Sequence, residues 1–386
     1  MKLEKSKFIP YGHQDVIESD INAVIQVLQS DFLTQGPVVP AFEQELCNYT
    51  GAKHSVAVNS CTSALHIACL ALDLGVGDIL WTSPITFVAS ANCALYCGAT
   101  VDFVDINPDT ALMSVKKLRE KLELAEREGK LPKIVIPVHF AGQPCDMEEI
   151  HGLGRRYGFK IIEDAAHAIG AKYQTESVGS CQYSDITVFS FHPVKIITTG
   201  EGGSAMTNDS LLAEKMKLLR SHGITRDSVK IQKNLDGPWC YDQIDLGFNY
   251  RMTDIQAALG ISQLNRIDEY VSHRVEISKW YDDQFKDLNI DPLVQKSNRN
   301  SSFHLYVIRI KGGNKERNRL YSNLCKNNIG VNVHYIPVYK HTYYDSFNVL
   351  YEAERYYQEA ISLPLFPKIT DSDLRKVTSN ILNFFT

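Results

Sequence analysis

Apolar and polar positions along the chain switch between two periods. In residues 13–30 the side chains Val16, Ile17, Ile21, Val24, Ile25 and Leu28 recur at a 3.6-type spacing, which predicts an amphipathic helix with a buried stripe. Residues 31–37 end it with turn chemistry, and 42–49 resume the helical spacing. Short apolar runs then alternate with helical ones. Strands are predicted at 55–59, 78–82, 100–104, 134–138, 160–164, 186–189 and 204–207, and helices at 62–74, 89–97, 118–129 and 211–219. The run 134–138 is apolar throughout, as in a parallel strand covered on both faces. The alternation predicts an α/β fold with a large, mostly parallel sheet over residues 1–262. Beyond 262 the pattern changes. A long charged helix at 263–285, a strand at 305–310, a helix at 315–327, a second strand at 330–335 and a closing helix at 371–384 predict a smaller α+β domain over 263–386.

Composition narrows the functional classes. A chain of 386 residues suits a large domain with a smaller companion, and a formal net charge of −5 offers no basic field for nucleic acid. Nine cysteines without a CxxC pair point to reduced thiols, with neither a disulfide framework nor a metal site expected. The first residues lead into no apolar signal core, and no run approaches about eighteen apolar residues. The expectation is a cytoplasmic protein with no membrane partner. Gly152, Gly154 and Gly158 imitate a dinucleotide fingerprint, but the third glycine falls one place late and the segment precedes a strand.

Candidate chemistry gathers around Lys195. It lies between the apolar run 186–189 and the glycines Gly200, Gly202 and Gly203, so it is expected on a short loop between two adjacent strands. A lysine shielded there becomes a nucleophilic amine if its surroundings lower its pKa. Asn59 to Ser63 places hydroxyls and free N–H groups at a helix start, which serves either as an ordinary N-cap or as a phosphate cradle. Asp164 ends a buried strand, either in the crevice where open α/β sheets bind ligands or as a helix cap for the next segment of chain. Phe87 taken alone reads as core. Thr253 with Gln256 forms a capping box that starts a helix, and the polar stretch from Ile224 to Trp239 is expected to be mobile.

The runs Ser190-Phe191-His192-Pro193-Val194-Lys195, Gly200-Glu201-Gly202-Gly203, Glu163-Asp164-Ala165-Ala166-His167, Asn59 to Leu65 and Asn249-Tyr250-Arg251 resemble the DegT/DnrJ/EryC1/StrS family of sugar aminotransferases, which use pyridoxal 5′-phosphate (PLP). The resemblance spans nearly the whole chain and implies a fold-type I aminotransferase. It implies that Lys195 binds PLP covalently, that Asp164 faces the pyridine nitrogen, and that Phe87 stacks on the ring. His167 falls near the phenolic oxygen, and Thr62, Ser63 and Ser190 at the phosphate. His192 either assists proton transfer at C4 of the sugar or supports its loop. Asn249 is implied to reach the site of a second copy in a homodimer, with Tyr250 and Arg251 near the cofactor or nucleotide. The runs 302–306 and 333–339, including His334 and Tyr335, resemble sugar-nucleotide-side segments. The implied partners are L-glutamate as donor and a 4-keto-6-deoxy UDP-sugar as acceptor. The runs 192–195, 221–224 and 333–337 resemble the branch of the family on the way to pseudaminic acid. Three alternatives remain beside that reading. One is the same chemistry on a bacillosamine- or aminoarabinose-type sugar. The second, a 3-dehydratase, is disfavoured because those relatives carry histidine where this chain has Lys195. The third, a PLP-binding regulatory protein, is disfavoured by the intact Lys195 and Asp164.

Overall fold

The computed structural model describes residues 8–227, 231, 237–344 and 348–385. Seven strands build the main sheet: β1 (His54–Val58), β2 (Ile79–Thr82), β3 (Thr100–Phe103), β4 (Ile134–Ile136), β5 (Lys160–Asp164), β6 (Ile186–Ser190) and β7 (Gly203–Thr207). Their spatial order is β1-β7-β6-β5-β4-β2-β3. Strands β3, β2, β4, β5 and β6 run parallel, while β7 is antiparallel to both β6 and β1. The carboxyl ends of β1, β2, β5 and β6 therefore lie at one edge of the sheet.

Burial on both faces explains the unbroken apolar runs. Val56, Val58, Leu80, Ile134, Ile136, Ile162, Ile186 and Val188 enter one core cluster, together with helices α3 (Cys61–Ala71) and α4 (Ala89–Tyr96). Their neighbours point the other way: Trp81, Val135 and Ile161 pack with α5 (Val115–Glu128) and α6 (Met147–Tyr157), and Ala57 and Phe189 with α2 (Val38–Thr50). A two-residue period thus divides each strand between two apolar layers.

Helix α1 (Glu18–Leu28) begins five residues later than its spacing predicts. Asp20 Oδ2 accepts the Ile17 N–H at 2.9 Å, and the backbone oxygen of Asp15 accepts from Gln263 Nε2 at 2.7 Å, so the preceding residues are anchored outside the helix. The expected buried stripe is also absent. Ile21, Ile25 and Leu28 are exposed, and α1 buries Asp20 and Val27 instead. Asp20 is held by Ser262, Gln263 and Arg266; burial works to raise its carboxyl pKa, but the bonds from Ser262, the Ile17 N–H and Arg266 keep it below the usual range.

Helix α7 (Ser210–Arg220) follows β7, and Ile224–Thr225 then pairs with Asp242–Gln243. Residues 228–230 and 232–236 of the polar stretch expected to be mobile lie outside the described residues. The capping box forms as expected at α8 (Asp254–Leu264), with Gln256 N–H to Thr253 Oγ1 at 3.2 Å and Thr253 N–H to Gln256 Oε1 at 2.9 Å.

The helix expected over roughly 263–285 forms, starting four residues late. α8 stops at Leu264, and α9 (Ile267–Phe285) begins after Arg266, whose guanidinium turns back to Asp20. Strands β8 (Ile290–Pro292), β9 (Tyr306–Ile310) and β10 (Ala360–Leu363) form an antiparallel sheet in that order. Helices α9, α10 (Gly313–Lys326) and α12 (Asp371–Phe385) cover it, and Ile9 from the start of the chain joins the same cluster. The expected strand at 330–335 is not one. It makes a single bridge, Asn332 to Ser362, and the third strand is β10, directly after α11 (Tyr351–Glu359). Among the described residues no helix is long and apolar enough to cross a membrane.

Candidate active site

Antiparallel pairing of β6 with β7 forces the chain to leave Ser190 and return at Gly203 directly opposite. Phe191 N–H to Gly202 O at 2.9 Å extends the ladder, and Thr199 N–H returns to Phe191 O at 3.0 Å. Phe191, Ile196 and Ile197 are buried and anchor the loop. Lys195, whose N–H donates to His192 O at 2.9 Å, lies between these anchors and lines a cavity of about 1170 Å³. A Cβ on Gly203 would sit 2.6 Å from the Cys61 nitrogen, so this glycine lets the start of α3 press against β7.

That helix start forms one wall. Ser60 is the N-cap, accepting from Ser63 N–H at 3.1 Å, and the Ser63 hydroxyl donates to Asn59 Oδ1 at 2.7 Å. Thr62 and Ser63 both line the cavity, as does Ser190 at the end of β6. The first N–H groups of α3 have no partner within the helix and carry the positive end of its dipole, which suits a phosphate.

Asp164 closes β5 on the opposite wall and is 5 % exposed. Ser90 Oγ donates to its Oδ2 at 2.6 Å and Ala166 N–H to its Oδ1 at 3.0 Å. It makes no ion pair among the described residues. A buried carboxylate without a cation is costly to keep, and the cavity face of Asp164 suits a charged N–H donor.

His167 lies one turn beyond. Its Nδ1 accepts from Ala141 N–H at 3.3 Å, which puts the ring proton on Nε2, 3.2 Å from the Tyr335 hydroxyl. Burial, then the nearby Lys195 and His334, hold its pKa well below normal, so it is neutral. His334 bonds Ser362 Oγ at 2.8 Å, and burial followed by Lys195 pushes it down to about 3. Lys195 itself falls from 10.5 to about 8, because burial outweighs the anions that favour its charge. Phe87 is 60 % exposed at the cavity, against the default reading of a lone aromatic as core, with Tyr335 at 6.5 Å between ring centroids.

Lys195, Asp164, His167, Ser190, Thr62, Ser63, Phe87, His192, His334 and Tyr335 therefore share one cavity. Asn249, Tyr250 and Arg251 lie outside it. Asn249 is exposed, its backbone paired with Ser221; Tyr250 stacks on Phe248 at 4.8 Å and 11° and bonds His66 Nδ1 at 3.2 Å; Arg251 bridges Val58 through its backbone. His304, from the run 302–306 that resembles a sugar-nucleotide-side segment, sets its ring 4.3 Å from that of His167, whereas sequence reasoning overlooked Ser90, Tyr11 and Asn332, which also line the cavity. None carries a local signal, since Ser90 sits inside a small-residue helix and Tyr11 arrives from the far end of the chain.

The donor set fits PLP. The cavity offers an amine, a buried carboxylate without an ion-pair partner among the described residues, an exposed aromatic ring and a hydroxyl-lined helix start, groups of the kinds that would suit its carbonyl, ring nitrogen, flat face and phosphate. The model of the DegT/DnrJ/EryC1/StrS aminotransferase family matches residues 14–382. The chain is 38% identical over 381 residues, 97% of each chain, to a UDP-4-amino-4,6-dideoxy-N-acetyl-beta-L-altrosamine transaminase of Campylobacter jejuni. Helicobacter pylori PseC, an aminotransferase involved in the biosynthesis of pseudoaminic acid, superposes with a TM-score of 0.88 at 33% identity, covering 98% of this chain and 99% of that one. Spr1654 from Streptococcus pneumoniae, solved in its PLP-form, gives 0.88 at 31% identity over 98% of both chains. A cavity fitted to PLP, on a chain matched from end to end, identifies a PLP-dependent sugar aminotransferase that belongs to the DegT/DnrJ/EryC1/StrS family.

Proposed function

We propose that the protein moves an amino group from L-glutamate to the C4 ketone of UDP-2-acetamido-2,6-dideoxy-β-L-arabino-hex-4-ulose. The product is UDP-4-amino-4,6-dideoxy-N-acetyl-β-L-altrosamine, for pseudaminic acid biosynthesis. The observation that carries this choice of sugar is the 38% identity, over 97% of both chains, to the Campylobacter jejuni enzyme named for that product.

When bound, PLP supplies a carbonyl that condenses with amines and a ring that withdraws electrons from the bonds at the reacting carbon. Lys195 would hold it through Nζ. Asp164 would accept a hydrogen bond from the ring nitrogen and favour positive charge there, His167 would serve the phenolic oxygen, and Phe87 would cover the ring face. Thr62, Ser63, Ser190 and the partner's Asn249 would hold the phosphate and keep the cofactor in the cavity while Lys195 is free. The freed Nζ then takes the proton from the donor Cα and later delivers one at C4 of the sugar. In the chain without cofactor, burial lowers the Lys195 pKa to about 8, so a useful share of the amine is unprotonated near neutral pH and able to condense with a carbonyl. His192 lines the cavity at its exposed side, where it assists proton transfer at C4 or supports the loop.

Shared sites in a homodimer are supported by three features. Asn249 is exposed and outside its own chain's cavity, the apolar stripe of α1 is exposed, and among the described residues no arginine lines the cavity to meet a diphosphate. The partner's Arg251 and the partner's Tyr250 would serve the nucleotide there, beside His334 and Tyr335. We set the domain boundary at 262/263, supported by the helix break just after it, and the protein in the cytoplasm, supported by nine free thiols.

Purified holoenzyme given ¹⁵N-glutamate and a panel of 4-keto UDP-sugars tests the reading by mass. Label on the arabino-hex-4-ulose above all others is expected. Preferred labelling of a bacillosamine- or aminoarabinose-type ketone would reassign the sugar, and no transfer to any would leave a binding protein.

A further inference from the structure

The geometry points to Ser90 as a positioning residue for the reaction: its hydroxyl locks the Asp164 carboxylate and ties it to the turn that carries Phe87. Ser90 is fully buried in the first turn of α4. Its Oγ donates to Asp164 Oδ2 at 2.6 Å, and Ala166 N–H donates to Oδ1 at 3.0 Å. Each carboxylate oxygen is thus held by one donor, the two donors come from different elements, and rotating the carboxylate breaks both bonds.

A hydroxyl has one proton to give. With the Ser90 proton directed to Asp164, the 2.7 Å contact between Thr86 and Ser90 must run from Thr86 Oγ1 to Ser90 Oγ. The donor order is Thr86 to Ser90 to Asp164, and all three side chains are buried. The Phe87 carbonyl, 3.4 Å from Ser90 Oγ, is a competing acceptor, but the shorter bond to a carboxylate is the stronger. Thr86 and Ser90 flank Phe87 within one five-residue segment, so the exposed ring and the carboxylate across the cavity are set by the same piece of backbone. The lone pairs of Asp164 not used by Ser90 and Ala166 are left for a cationic donor in the cavity. This inference rests on Asp164 being the partner of the cofactor's ring nitrogen.

Ser90→Ala, Ser90→Thr and Thr86→Val are compared with wild type and with Asp164→Ala. Each is prepared as holoenzyme for kinetics and as stripped apoenzyme for PLP binding by equilibrium dialysis and for thermal melting. Loss of one buried hydrogen bond predicts PLP bound about fivefold more weakly by Ser90→Ala. Its kcat in the glutamate half-reaction should fall about tenfold, with KM within about twofold, because the bond acts through Asp164 and not on the amino acid. Ser90→Thr, which keeps the hydroxyl, should recover most of both losses, and Thr86→Val should show a smaller loss of the same sign. Wild-type PLP affinity and kcat in Ser90→Ala overturn the proposal, as does Ser90→Thr behaving like Ser90→Ala. If Ser90→Ala fails to fold, Thr86→Val decides: unchanged PLP affinity overturns the proposal and weaker binding supports it. If Asp164→Ala also retains wild-type PLP affinity, the role given to Asp164 falls and this proposal falls with it. An effect in Asp164→Ala without one in Ser90→Ala removes Ser90 alone.

Discussion

The reactive form of Lys195 is the neutral amine, and burial sets how much of it exists. Its pKa falls from 10.5 to about 8. At pH 7.5 that leaves about a quarter of the amine unprotonated, against roughly one part in a thousand for an exposed lysine, a difference worth about 3 kcal/mol. Burial is the larger effect, opposed by Cys61 when ionised and by Asp164, both of which favour the charged form. The Cys61 thiol is itself pushed well up by burial and stays uncharged at this pH, which leaves Asp164 as the anion that acts. Asp164→Asn removes that charge at nearly constant volume, so the Lys195 midpoint should fall below the wild-type value. The neighbouring histidines do not interfere, since His334 titrates near 3 and His167 is also held well below neutral. The assay is competitive acetylation of the apoenzyme from pH 5 to 10, read by mass spectrometry on the Lys195 peptide, with the exposed Lys130 and Lys311 as internal references. A midpoint of about 8 in wild type and a lower one in Asp164→Asn are expected. A wild-type midpoint near that of the reference lysines refutes the burial argument, and a higher midpoint in the variant refutes the role given to Asp164.

Two further outcomes check the assembly and the loop. Lys195→Ala should lose transamination by roughly 10³-fold, and Asn249→Ala should be impaired by weaker phosphate anchoring. If Asn249 acts in trans, co-refolding the two variants should restore roughly a quarter of the sites, because half the dimers are mixed and each has one intact site; activity no greater than the sum of the separate variants argues against sharing. Gly203→Ala places a methyl 2.6 Å from the Cys61 backbone nitrogen and should cost about 1–3 kcal/mol, seen as a lower melting temperature. An unchanged melting temperature would show that α3 can retreat from β7 freely.

Local chemistry determined much of this molecule from the sequence alone. The apolar run of β4 reads as a doubly covered strand because burial on both faces leaves no polar position, and β5 begins and ends where its run does. The capping box at Thr253 and Gln256 is likewise local, needing only three residues of spacing. The resemblance supplied the cofactor and gathered residues 62 to 195 into one site, where spacing alone left the cradle and Asp164 ambiguous. Tertiary structure decided the rest, wherever a long-range partner overrode a local preference. The helix read at 263–285 starts only after Arg266, which turns to Asp20, 246 residues away, and the same Asp20 accepts the Ile17 N–H at the late start of α1. Segment 330–335 has strand composition but meets β10 at one bridge only, so it instead carries His334 and Tyr335 to the cavity. Ser90 has no signature in a small-residue helix and gains its role from Asp164, 74 residues further on. A periodicity records which side of an element is apolar; it does not record which polar group waits opposite, and only the fold brings the two together.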